Sequence, residues 1–178
     1  MSFRLARRPS LVGNETRGGD EVTTQVYRLY IKAASEAVWD AITNPEQTDR
    51  YGYRGRVEYD LRPGGAYRAQ ASDEMRAHGS PEVVVDGEVV ESDPPRRLVQ
   101  TWHALFSPEI AAEPAGRLTW EIEPGTGGVT TLTLTHELDG APITASIVGG
   151  SVAEMGGGWS FVLSDLKTLL ETGKSLAG

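Results

Sequence analysis

The sequence predicts an α+β fold: seven antiparallel strands, two short helices after the first strand, and one long helix at the C-terminus. Two observations carry this. Residues 156–173 place Trp159, Val162, Leu163, Leu166, Leu169 and Leu170 at i, i+3, i+4 and i+7 spacing, which makes one apolar helical face. Most of the preceding chain instead alternates apolar and polar residues in short runs separated by tight turns. Short turns require antiparallel neighbours, because parallel strands need long crossovers. A sheet of that kind exposes an apolar face, and the C-terminal helix is the natural cover for it.

The elements follow in order. Residues 1–21 carry arginines among Gly and Pro and read as an extension outside a domain spanning residues 22–178. Residues 23–31 form the first strand, with Tyr27, Leu29 and Ile31 on one face. Ser35 is expected to N-cap a short helix whose apolar face is Val38, Trp39 and Ile42. Asn44-Pro45 ends that helix, since a residue before proline avoids the helical region, and a second short helix starts at Pro45. Residues 56–61 and 66–71 are strands joined at Pro63-Gly64-Gly65, where proline sets φ and glycine tolerates positive φ. Residues 72–81 are a polar connection. Strands at 83–90 and 96–104 flank the turn Ser92-Asp93-Pro94-Pro95, and residues 107–115 are a loop. Strand 117–123 puts Leu118, Trp120 and Ile122 on one face, and strand 129–138 puts Leu132, Leu134, His136 and Leu138 on one face. Residues 139–158 are glycine-rich, with a short helix near 143–155. The last helix ends at Gly173, placed for a left-handed cap.

Composition narrows the function. At 178 residues the chain is long enough for one domain with a core of its own. With no cysteine it has neither disulfides nor thiol chemistry, which fits a cytoplasmic location. A net charge of −8 opposes nucleic acid and anionic membranes as partners. No run approaches the ~20 apolar residues of a membrane span.

Several stretches carry a family resemblance: Val38-Trp39 before Asn44-Pro45-Glu46, the double-glycine turn after Asp60-Leu61-Arg62, the run from Gly87 through Pro94-Pro95 to Trp102, Thr131–His136, and Gly158-Trp159. In this order they resemble the bacterial activator of Hsp90 ATPase homologue 1-like family, within the START/Bet v 1-like superfamily. The resemblance covers residues 22–173. It implies a helix-grip fold, a curved sheet wrapped round the long helix, often holding an apolar ligand between them. The chain departs from the family pattern in its N-terminal extension and in the extra glycines before Gly158-Trp159.

No catalytic constellation is expected. The 3 histidines fit no metal pattern, and no metal or cofactor is called for. His136 shares a face with Leu132 and Leu134; if that face is concave, the imidazole could orient a ligand or move a proton, the alternative being a histidine satisfied by a protein partner. His103 and Trp102 must face opposite ways, with the inner one left open, and His78 falls in a loop. Tyr51, Tyr53, Tyr67, Trp102, Trp120, Leu134, His136, Met155, Trp159 and Leu163 are the candidate lining of a cavity, or else ordinary core. Binding of a small hydrophobic molecule is the leading expectation, by a monomer or homodimer. A polyketide cyclase or dehydratase and a partner of an Hsp90-type ATPase are the alternatives that the resemblance implies.

Overall fold

A computed structural model describes residues 23–176. The N-terminal extension expected over residues 1–21 lies outside them. Seven strands form one antiparallel sheet: β1 Thr24–Ile31, β2 Arg56–Tyr59, β3 Ala66–Gln70, β4 Val83–Asp93, β5 Arg97–Ala104, β6 Gly116–Pro124 and β7 Thr130–Glu137. Their order across the sheet is β1-β7-β6-β5-β4-β3-β2. Every expected strand is present, with ends moved by up to three residues. Helices α1 (Ser35–Thr43) and α2 (Pro45–Thr48) follow β1. A short α3 (Asp73–Ala77) precedes β4, and α4 (Pro142–Val148) and the long α5 (Gly158–Thr172) close the chain. This is the helix-grip architecture.

Antiparallel register places facing residues on the same side of the sheet. Gln100 pairs with Leu118, and Leu118 with His136; one row along, Leu98 pairs with Trp120, and Trp120 with Leu134. These six residues are buried on the face that receives α5. Trp102 lies on that face too, so His103 is the outward neighbour. Register shifts at Ala69/Gln70 and Val89/Glu91 are bulges, which bend strands and increase sheet curvature.

Helix α5 buries Leu163, Leu166 and Leu169, with Trp159, Val162 and Leu170 half-buried beside them. Each fully buried leucine contributes roughly 1.5–3 kcal/mol of transfer free energy. Gly173 caps the helix at φ 76° and donates its N–H to the Leu169 carbonyl. At the other end Gly158 has φ 59°, and a Cβ there would stand 2.1 Å from the Val148 carbonyl oxygen, so only glycine fits.

Three local expectations need correction. Ser35 is the first residue of α1, not its cap: Ala34 holds the cap position and the Ser35 hydroxyl is buried without a partner among the described residues. The polar connection before β4 contains α3, N-capped by the Ser72 hydroxyl, which accepts from the Met75 N–H at 3.3 Å. The expected helix near 143–155 is α4 followed by a separate 3-10 turn, Ala153–Met155.

Candidate functional site

The inner face gathers most of the expected lining. His136 is fully buried, and its Nδ1 accepts from Trp159 Nε1 at 3.1 Å, tying β7 to the first turn of α5. Trp102 meets the imidazole edge-on at 5.0 Å and the Trp159 ring at 6.0 Å. Trp120 meets Trp159 perpendicularly at 5.7 Å. Strands β5, β6 and β7 and helix α5 thus bring three indoles and one imidazole into contact. Leu134 and Leu163 are buried on opposite sides of this interface, in sheet and helix. Burial lowers the His136 pKa to about 3, because charging the ring would strand a cation away from water.

Beside this cluster lies a tyrosine group. Tyr59 stacks on Tyr67 with centroids 4.6 Å apart and donates its hydroxyl to Gln100 Oε1 at 2.7 Å. Tyr51 donates to the Ala41 carbonyl at 2.9 Å. Burial pushes all three hydroxyl pKa values up; for Tyr67 the Trp102 and Gln100 side chains act in the opposite direction. Three buried side-chain nitrogens on this face have no hydrogen-bond partner among the described residues: Gln100 Nε2, Trp120 Nε1 and His136 Nε2.

Other candidates fall elsewhere. Met155 is 39% exposed on its 3-10 turn and does not join the lining, because the glycine-rich segment carries that turn to the surface. Tyr53 is 40% exposed; its hydroxyl accepts from the Gly158 N–H at 3.0 Å and so helps to cap α5. His103 faces outward between Asp86 Oδ1 at 3.2 Å and the Ala111 carbonyl at 3.1 Å. His78 is exposed, with Nδ1 2.8 Å from the Glu74 carbonyl oxygen.

The interior is more filled than expected. Two concavities among the described residues, of about 340 and 460 Å³, are outer grooves. One lies around Ser35, Pro95 and Pro124, and the other around Arg97, Glu121 and Glu123. The aromatic rings occupy the space at the N-terminal end of α5 where an open cavity was anticipated. No group of three or more metal-ligating side chains occurs among the described residues, and none of their helices is long and apolar enough to cross a membrane.

Several residues of the site and of the structure that supports it were not singled out in the sequence. Gln100 sits two residues from both Leu98 and Trp102, so strand alternation alone places it inward. Asp165 is fully buried on α5, three residues from Val162 and four from Leu169. Its carboxylate accepts from Gly52 N at 2.8 Å, Ser175 Oγ at 3.0 Å and Leu176 N at 2.6 Å. Glu113 accepts from the N–H groups of Ile143 and Thr144, each at 2.8 Å, and from the Thr144 hydroxyl at 2.7 Å. It thereby caps α4 from a distant loop; burial opposes its ionisation, but these donors hold its pKa below the usual value.

The sequence model for "Activator of Hsp90 ATPase homolog 1-like protein" matches residues 32–171. The chain belongs to that family. Solved structures share its fold. CalU16 from Micromonospora echinospora superposes with a TM-score of 0.60 at 22% identity, over 85% of this chain and 78% of that one. DynU16, described as a protein of the dynemicin biosynthetic locus, gives 0.62 at 26% identity; the match covers 85% of this chain and 48% of DynU16. PFC0360w, an HSP90 activator from Plasmodium falciparum, gives 0.57 at 18% identity over 83% and 95% of the two chains. No curated protein matches the chain. Within the family's helix-grip frame, the buried nitrogens and aromatic rings beneath the first turn of α5 are the candidate site.

Proposed function

We propose that the chain binds a small apolar or amphipathic molecule between the concave face of the sheet and the N-terminal end of α5. The observation that supports this is the set of unpaired buried nitrogens of Gln100, Trp120 and His136, lying among aromatic rings. An unpaired buried polar group costs about 1–3 kcal/mol, whereas apolar side chains of similar size would pack there freely. A ligand that supplies the missing bonds accounts for keeping them. The glycine-rich segment Gly156-Gly157-Gly158 is where the chain opens to admit it, with the Trp159–His136 hydrogen bond kept.

Binding is favoured over proton-transfer chemistry. His136 holds its pKa at about 3 and has Nδ1 engaged by Trp159, so at neutral pH it is a weak base with its free electron pair already used. The description of DynU16 suggests a small biosynthetic product as the ligand. The family description also raises an Hsp90-type ATPase partner, a reading that an ATPase stimulation assay tests directly.

Native mass spectrometry of the purified protein and titration with an apolar fluorescent probe test the binding reading. A retained mass, or a probe-dependent change in tryptophan emission that Leu134→Glu weakens, supports it. A bare protein mass together with unchanged emission overturns it.

A further inference from the structure

All three unpaired nitrogens are donors. The indole Nε1 of Trp120 donates only, and so does the carboxamide nitrogen of Gln100, whose oxygen already accepts from Tyr59 at 2.7 Å. His136 follows from its partner: Trp159 Nε1 cannot accept, so His136 Nδ1 carries the lone pair that receives its hydrogen. A neutral imidazole with Nδ1 unprotonated bears its hydrogen on Nε2. Burial, which holds the ring pKa at about 3, keeps it in that neutral form. The nitrogen left without a partner among the described residues is therefore an N–H group.

The backbone of β6 packs closely beside that N–H. Gly116, on the neighbouring strand, has no Cβ; one built there would stand 3.0 Å from His136 Nε2 and 2.6 Å from the Glu137 carbonyl oxygen. Gln100 and His136 flank Leu118 in one row of the sheet, and Trp120 lies two residues farther along β6. Among the described residues, the buried polar ones include no Lys or Arg.

Resting on the ligand-binding reading above, we propose that the ligand is an uncharged molecule with a flat apolar body and a carbonyl oxygen, held by the Nε2–H of His136 with the Trp120 and Gln100 donors on the same face. A carboxylate is disfavoured because it would lose its hydration without gaining a cation. The flat body follows from the walls, which are indole and phenol rings.

Three matched probes separate these statements: 2-acetonaphthone, 2-ethylnaphthalene and 2-naphthoate, titrated into the full chain and followed by tryptophan emission. The ketone is expected to bind about tenfold more tightly than the hydrocarbon, one buried hydrogen bond's difference, with the carboxylate weakest. In a protein labelled with 15N-histidine, the ketone should move the Nε2–H proton of His136 downfield. His136→Phe should abolish the preference for the ketone while retaining the hydrocarbon. Equal binding of ketone and hydrocarbon overturns the carbonyl assignment but leaves the ligand-binding reading standing. Tightest binding of the carboxylate overturns the uncharged assignment. Failure of all three probes to bind overturns both readings. Should His136→Phe not fold, the wild-type series and the histidine resonance still decide.

Discussion

Asp165 offers a sharp test of how α5 is held. Its carboxylate is fully buried and joins three separate parts of the chain: the helix, the Gly52 N–H and the C-terminal Ser175–Leu176. Hydrogen bonds to a charged acceptor contribute about 1.5–3 kcal/mol each where the donor cannot reach water. Gly52 N is such a donor, being part-buried. Leu176 is 54% exposed, so water replaces most of what its N–H loses. Counting about 2 kcal/mol for Gly52 and about 0.5 kcal/mol for each tail contact gives roughly 3 kcal/mol for Asp165→Ala. Asp165→Asn keeps the shape but turns one acceptor oxygen into a donor facing a donor, and should cost about 2 kcal/mol. Urea denaturation with an unchanged m-value measures both. A chain ending at Lys174 should lose only about 1 kcal/mol, and Asp165→Asn should cost less in that background, because its two tail partners are already gone. A loss below about 0.5 kcal/mol for Asp165→Asn in the full chain would refute the argument, since surface sites behave that way.

Further expectations follow from the same geometry. Leu166→Ala removes a fully buried side chain at the centre of α5 and should cost about 2–5 kcal/mol in denaturant titration; a change below about 1 kcal/mol would put Leu166 at the surface. Because His136 stays neutral down to about pH 3 when folded but takes up a proton near its ordinary pKa of 6.5 when unfolded, stability should fall as pH drops through that window. The loss is about 1.4 kcal/mol per pH unit, or roughly 2 kcal/mol between pH 6.5 and 5, and denaturation of His136→Phe at pH 7 and 5 should show this component removed. Glu113→Ala strips α4 of its cap and should cost about 1 kcal/mol, with faster hydrogen exchange at Ile143 and Thr144; unaltered exchange there would argue against the cap.

The strands, their antiparallel pairing and the buried face of α5 were legible in the sequence, because periodicities of two and 3.6 residues are local properties of the backbone. Alternation along β6 and β7 placed Trp120, Leu134 and His136 on one face, and the structure keeps them there. Gly173 as the cap of α5 was legible for the same reason, since only its own φ mattered. Local pattern could not choose between Trp102 and His103 for the inner face, because a strand's two faces differ only in what packs against them. Nor could it show that Met155 leaves the interior, or that the space beneath α5 is filled. That filling depends on how far the sheet curves and on rings from β5, β6, β7 and α5 meeting in one place. Asp165 is the extreme case: a carboxylate on an apolar helix face is tolerable only because donors 113 and 11 residues away fold back onto it, and no window of sequence contains all three.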